Sequence, residues 1–343
     1  MKRRSIPATI VILLSMLTAF PACGVLDEDT DNCPQGCRIE LSAAGVEKGN
    51  VYSALRLSSD LEKLTLWIFD QNGSFVERTE VTGSTIKENG YSFHLPLDPG
   101  DYQIVAWIGA ESTQYTLPTL TRGSSGVDDL TLLLERNSDD TYGNRLTPLW
   151  HGYRNNIRIV SGTETRVELP MTKDTNTFIA VVQDSSGADI TSDDFSVQVL
   201  ADNGFMGYDN RLLADDRITY NAYLQQSATV DSGEEGESTP LSVLRAEMST
   251  LRLMTDKAVR FIITDNRTQQ KILDINLIQY LLLTRELAEG SIGSKLTDQD
   301  YLDFQDTYSI VFFLTPTGKP DRPYACLTLN INGWIVRLNG GII

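Results

Sequence analysis

Between residues 38 and 343 the chain is written as short apolar segments cut by turn residues, and this punctuation points to an antiparallel β fold. Leu61–Phe69 (LEKLTLWIF) is apolar on both faces of a pleat, and Asp70-Gln71-Asn72-Gly73 follows before the chain leads away through Ser74–Arg78. That is the signature of a hairpin. Tyr91–Leu97 alternates as YSFHLPL, Asp98-Pro99-Gly100 turns the chain, and Asp101–Ile108 (DYQIVAWI) returns. Proline presets φ at such a turn and glycine supplies the positive-φ position. Leu130–Leu134, Ile157–Val160 and Thr165–Met171 are further short strands, with Asn137–Asn144 expected as a polar loop.

A similar unit then begins again. Thr177–Val182 (TFIAVV) is followed by Gln183, Asp184, two serines and Gly187, echoing the apolar strand and Asp-x-x-Gly turn of residues 67–73. Phe195–Leu200, Ile218–Tyr223, Leu251–Met254 and Val259–Thr264 continue the strands, while the acidic, Ser/Gly-rich stretch 226–240 reads as a mobile loop. Ile272–Leu283 is the longest apolar run, and its end, with Arg285, Glu286 and Ala288, suits a short helix. Tyr308–Leu314 and Ala325–Leu338 form the last strands, turned at Asn332-Gly333. The expected class is all-β, with two β-sandwich domains in tandem over 38–172 and 173–343.

The segment ahead of these strands gives an address. Lys2, Arg3 and Arg4 precede a mostly apolar stretch, Ile6–Phe20, broken by Pro7 and Ser15, and Phe20-Pro21-Ala22 leads into Cys23. This is a secretory signal over 1–22 ending before a cysteine, the thiol that a bacterial lipoprotein acylates. The competing readings are an ordinary signal peptide and an uncleaved anchor, the latter disfavoured because a spanning helix wants about 20 apolar residues. Residues 23–37 form an acidic tether containing Asp27, Glu28, Asp29 and Asp31. Their spacing opens like an EF-hand loop but fails at Asn32 and Arg38, so no calcium site is expected.

The charge excludes one class of partner. The chain carries 29 Lys and Arg against 46 Asp and Glu, a net −17, and losing Lys2, Arg3 and Arg4 leaves 26 against 46, or −20. Such a surface repels nucleic acid and anionic lipid. Cys33 and Cys37 flank Pro34 and Gly36 and are a candidate disulfide, with Cys33–Cys326 as the alternative and Cys326 otherwise a buried thiol.

Little chemistry is visible. His94 and His151 lack an identifiable nucleophile or metal partner, no nucleophile elbow, phosphate loop or zinc helix occurs, and the acid pairs Asp193-Asp194 and Asp215-Asp216 are unremarkable in a chain this acidic. No enzyme, cofactor, metal or small-molecule substrate is expected. Trp67, Trp107 and Trp334 lie in strand-like runs and are expected in the core, whereas Trp150, beside His151 and Gly152, is the candidate for contact with a partner or a glycan.

Set in order, the landmarks resemble a known family. They are the lipoprotein cysteine and acidic stretch with Asp31-Asn32-Cys33-Pro34, LTLWIFDQNG, LPLDPGDYQIVAWIG at 95–109, Leu149-Trp150-His151-Gly152, VELPMTKDTNTFIAVVQ at 167–183, Asp303–Leu314, and LTLNINGWIVRL at 327–338. Together they are similar to the fimbrillin-associated anchor proteins, the FimB-like minor subunits of Bacteroides-type fimbriae. Cys37 departs from that pattern. The resemblance implies two transthyretin-like β-sandwiches and an outer-membrane lipoprotein, exposed at the cell surface, that anchors a fimbrium through its structural subunits and limits its length. Strand donation into an open sheet edge is the implied mode of subunit contact. The alternatives are a surface glycan-binding lipoprotein of a nutrient-uptake system and a secreted hydrolase.

Overall fold

A computed structural model describes residues 36–44, 56–232, 239–319 and 322–338. The first sheet has seven strands: β1 (Cys37–Ala43), β2 (Lys63–Asp70), β3 (Phe75–Thr82), β4 (Ser92–Leu95), β5 (Gly100–Ile108), β9 (Trp150–Ile159) and β10 (Thr165–Lys173). Their spatial order is β3-β2-β5-β9-β10-β1-β4. The predicted hairpin of β2 and β3 is present, and the 91–108 segment gives the two expected strands, β4 and β5, which do not pair with each other. They do not share one partner, because β4 crosses to the far edge and pairs with β1.

The double-sided apolarity of residues 61–69 has a structural cause. Leu64, Leu66 and Ile68 face an outer core with Ile39, Phe93, Ile104, Leu169 and Trp150, while Trp67 and Phe69 face an inner core with Trp107 and Leu132. Successive strand residues point to opposite faces, so a strand covered on both sides must be apolar throughout. Helix α1 (Gly83–Glu88) helps close the outer core with Ile86.

The second half is built from a six-stranded sheet and a five-stranded sheet, so the all-β expectation holds. The larger sheet contains β11 (Thr175–Asp184), β15 (Leu224–Ser232), β16 (Thr239–Leu251), β19 (Thr307–Lys319), β20 (Arg322–Ile331) and β21 (Trp334–Arg337), ordered β15-β16-β11-β19-β20-β21. The smaller contains β12 (Phe195–Ala201), β14 (Ile218–Asn221), β17 (Arg260–Asp265), β18 (Gln270–Asn276) and a strand from the first half, β8 (Thr141–Tyr142). Phe261 of β17 stacks on Phe312 of β19 with ring centroids 4.9 Å apart, closing the apolar layer between these sheets. Helices α2 (Leu277–Leu281), α3 (Arg285–Ile292) and α4 (Asp298–Phe304) lie between β18 and β19 in the chain.

The halves interlock. A three-stranded sheet places β7 (Thr131–Leu134) between β6 (Tyr115–Thr116) and β13 (Phe205–Gly207) of the second half, while β8 adds to β14. Arg136 fastens this crossover, donating Nη1 and Nη2 to Asp215 at 2.7 and 2.9 Å. The Asn137–Asn144 stretch is thus not wholly loop, since Thr141 and Tyr142 pair with Thr219 and Tyr220.

The echo between the halves is chemical. Asp70 Oδ1 accepts from the Asn72 and Ser74 amides, and Asp184 Oδ1 accepts from the Ser186 amide. Gly73 and Gly187 take φ of 78° and 82°, the left-handed region that glycine enters without a Cβ penalty.

One other reading is corrected and one is borne out. Residues 226–232 and 239–240 are not a loop but the paired ends of β15 and β16, with Asp231 opposite Pro240. The short helix expected with Arg285, Glu286 and Ala288 is α3, and the apolar run before it divides at Asn276, where β18 gives way to α2. Asn276 is a good N-cap, and its side chain accepts from the Gln279 amide.

Candidate functional site: an apolar sheet edge

The predicted site residues do not come together. Cys23 and Cys33 lie outside the described residues, as do the leader and most of the tether. Cys37 is a free, fully buried thiol in β1, and its pKa is pushed up to about 12 by burial and by Glu164. Cys326 is likewise free and buried in β20, its thiol pushed up to about 12 by burial. These two thiols lie in different cores.

Trp150 is not a contact residue, which corrects the sequence reading. Its side chain is 0% exposed. The indole Nε1 donates to Asp60 Oδ2 at 3.0 Å, and the Arg56 guanidinium and Lys173 ammonium lie 5.8 and 5.7 Å from the ring centroid. Lys173 also pairs with Asp60 at 3.0 Å and with Asp306 of the second half at 3.3 Å. The residue therefore belongs to the junction between halves. Its partner Asp60 stands 90 positions away, which local sequence cannot signal.

His151 is equally structural. It is buried, its Nε2 lies 2.7 Å from the Tyr208 carbonyl oxygen, and burial pulls its pKa down to about 4. His94 is on β4 with Nδ1 3.5 Å from Glu164. Asp194 caps the Thr191 amide, and Asp215 is held by Arg136. A cleft of about 410 Å³ includes Asp60, Glu62, Lys63 and Glu111, but Asp60 is engaged by Trp150 and Lys173, and Glu111 by Thr65. Among the described residues no group of three or more His, Cys, Asp or Glu is placed to hold a metal ion. No helix among them is long and apolar enough to cross a membrane.

Beside Trp150, the link between β10 and β11 is a single residue, Asp174, which is fully buried. Its backbone N–H donates to Leu149 O at 2.8 Å, and its Oδ1 accepts from Asn210 Nδ2 at 2.9 Å. Arg252 spans the junction, with Nε and Nη2 on Asp303 at 2.9 and 2.7 Å, Nη1 on Asn210 O at 2.6 Å, and Asp174 3.8 Å away. One cation thus faces two carboxylates. Burial raises the Asp174 pKa to about 7, against the opposing pull of Arg252 and the Asn210 hydrogen bond.

The surface offers a clearer feature at the other end of the second half. β21 is an edge strand, and its Trp334 and Ile335 are 45% and 65% exposed, with Leu327 of the adjoining β20 at 39%. Trp334 is expected in the core; it lies outside because β21, among the described residues, pairs on one side, with β20. The preceding turn is rigid. Asn332 and Gly333 have φ of 48° and 91°, the positive pair that a tight hairpin turn requires. Asn332 is also pinned to β19, its N–H donating to Ser309 O and its Oδ1 accepting from the Ser309 amide, each at 2.9 Å.

The edge at β3 is blunted. β3 carries Glu77, Arg78 and Glu80, with Lys63 and Arg78 both pairing with Glu80 at 3.1 and 2.6 Å. Charges on an edge discourage strand addition, whereas an exposed apolar edge invites it. In sequence, the alternation of NINGWIVRL identifies the strands but not which face stays uncovered.

Comparison with known proteins converges on one group. A family model for the fimbrillin-A associated anchor proteins Mfa1 and Mfa2 matches residues 30–340. A candidate adhesin of Bacteroides thetaiotaomicron is 26% identical, with a TM-score of 0.75 over 90% of this chain and 99% of that one. A protein of the same organism described as a candidate polysaccharide-binding protein is 26% identical, with a TM-score of 0.71 over 88% and 98%. The fimbrial anchor protein Mfa2 of Porphyromonas gingivalis shares the fold at 17% identity, with a TM-score of 0.66 over 89% and 99%. The comparison with curated proteins returned no match.

Proposed function

This chain belongs to the family of fimbrillin-A associated anchor proteins, and from that premise we propose that it is a lipid-held outer-membrane subunit that fixes a fimbrium to the cell surface and limits its length. In this reading Cys23 carries the lipid, each half is a transthyretin-like sandwich, and the role is non-catalytic. Lipid alone is sufficient to hold such a chain, since each buried methylene contributes about 0.8 kcal/mol and two chains anchor stably. The observation that carries the reading at the other end is β21, an apolar edge that has no strand on its outer side among the described residues, with Trp334 and Ile335 exposed. A fimbrial subunit adding a strand there would gain backbone hydrogen bonds, with alternate side-chain pockets giving specificity.

The two ends are tested separately. Cys23→Ala should release the protein and its fimbriae from membranes, and firm attachment of the variant would remove the lipid from the account. Ile335→Glu should leave the protein at the membrane while long fimbriae appear in the medium. Binding of purified subunit to that variant should weaken by about tenfold or more, as for a central interface residue. Unchanged retention would move the contact away from β21.

Glycan binding remains the second reading because one relative is described as a candidate polysaccharide-binding protein. With Trp150 buried, the exposed tryptophan among the described residues is Trp334, which would supply its aromatic contact. Saturable binding of a polysaccharide, lost in Trp334→Ala, would favour it.

A further inference from the structure

The order in which the strands connect determines how the molecule responds to tension. β1 and β10 run parallel in unbroken register, from Cys37 opposite Thr165 to Ala43 opposite Met171. Hydrogen bonds extend beyond both ends of the pair, Thr165 N to Gly36 O at 3.4 Å and Ala44 N to Met171 O at 2.8 Å. β10 passes through Asp174 directly into β11, which runs parallel to β19 in unbroken register from Thr177–Thr307 to Asp184–Leu314.

We infer that these two parallel pairs are mechanical clamps, joined in series, that let the chain bear tension between its N-terminus and its second half. A pull toward the N-terminus enters β1 at Cys37, whereas the opposing pull enters β10 at Lys173. Because the strands are parallel, those points lie at opposite ends of the pair. The strands must slide past one another, so the evenly spaced bonds of a parallel ladder are strained together rather than one at a time. The second pair repeats the arrangement, with tension entering β11 at Thr175 and leaving β19 toward Lys319.

Side chains reinforce the sliding direction. Cys37, Ile39, Leu41 and Ala43 of β1 are buried in the outer core and would be dragged through it. Arg38 pairs with Glu164 at 3.3 Å, and Glu40 with Arg166 at 3.6 Å. The residue between the clamps, Asp174, is tied to Leu149, Asn210 and Arg252. Tension arriving at the junction is therefore shared with the second half before it reaches β11.

This inference gives a physical purpose to the proposed anchor and rests on that reading only for its biological meaning. The test is single-molecule pulling of the mature chain carrying Cys23→Ser, in two geometries. Handles at the two termini load β1 against β10 in shear. A handle at the N-terminus and another at Gly162, in the turn before β10, place both forces at the same end of the pair and peel it open. Forced unfolding reports the unfolding barrier along the pulled direction, so the force that opens the first half should be about twofold or more higher in shear than in peeling. Equal forces, or a lower force in shear, would overturn the clamp while leaving membrane attachment and fimbrial retention untouched. Conversely, loss of the anchor reading in cells would leave the measured force ratio standing.

Discussion

Replacing Trp150 with alanine should destabilise the protein by about 3–5 kcal/mol, the range for removing a large buried aromatic side chain. The indole is completely enclosed in the outer core, so truncation leaves a cavity that the surrounding strands fill only in part. It also removes the donor to Asp60 and the ring beneath Arg56 and Lys173, three charged groups positioned around that ring. Trp150→Phe separates these contributions. It keeps much of the apolar volume, loses the N–H, and should cost about 1–3 kcal/mol, the penalty for leaving a buried hydrogen-bonding group without its partner. Chemical denaturation of the two variants measures both. A Trp150→Ala protein as stable as the parent, but deficient in binding a glycan, would restore the exposed role that the indole's burial argues against.

Trp150 also shows where sequence reasoning reaches its limit. The hairpin at 61–78, the strands around Asp98-Pro99-Gly100 and the Asn332-Gly333 turn are legible because their determinants are local: alternation, a turn residue and a glycine at positive φ. The Asp-x-x-Gly echo is legible for the same reason, since one carboxylate and one glycine build each turn. What escapes is set by distant partners. Thr141 and Tyr142 lie in a polar stretch and form a strand only because β14 receives them. The largely polar 226–232 segment is ordered by pairing with β16. Trp334 has the spacing of a core residue, but an edge position leaves it without a covering layer. The apolar edge that best serves as a partner site was thus hidden in a stretch whose strands were themselves readable.

The junction between halves yields the second large effect, through pH. Asp174 keeps a raised pKa of about 7 in the fold, whereas an unfolded aspartate titrates near 3.8. Between those values the folded protein holds a proton that the unfolded chain releases. This contribution to stability is therefore complete below about pH 4, falls as pH rises, and is lost above about pH 7, and three units correspond to about 4 kcal/mol. His151 acts oppositely. Its folded pKa is depressed to about 4 from 6.5, so the unfolded chain takes up a proton first as pH falls. Its contribution is complete above about pH 6.5 and is lost toward pH 4, by about 3 kcal/mol. The charged groups that bear on this pair are Arg252, Asp303 and Asp209, with the Tyr115 hydroxyl also near Asp174.

Two opposed slopes in one window nearly cancel, so the parent should show little pH dependence from this junction, and each single substitution should uncover the other slope. Asp174 Oδ2 and Asn210 Oδ1 are both buried without a hydrogen-bond partner, while Asn210 Nδ2 donates to Asp174 Oδ1. One proton on Oδ2, donated to Asn210 Oδ1, would satisfy both oxygens as a cyclic acid–amide pair. Asparagine at position 174 supplies the same donor permanently. Asp174→Asn should accordingly match or exceed the parent at pH 7.5, by up to about 4 kcal/mol, and should lose that advantage as pH falls toward 4. The measurement is the difference in unfolding free energy between variant and parent across pH 4–8. A difference that stays flat, or a variant markedly weaker at pH 7.5, would mean that Asp174 is ionised in the fold and that Arg252 compensates both carboxylates.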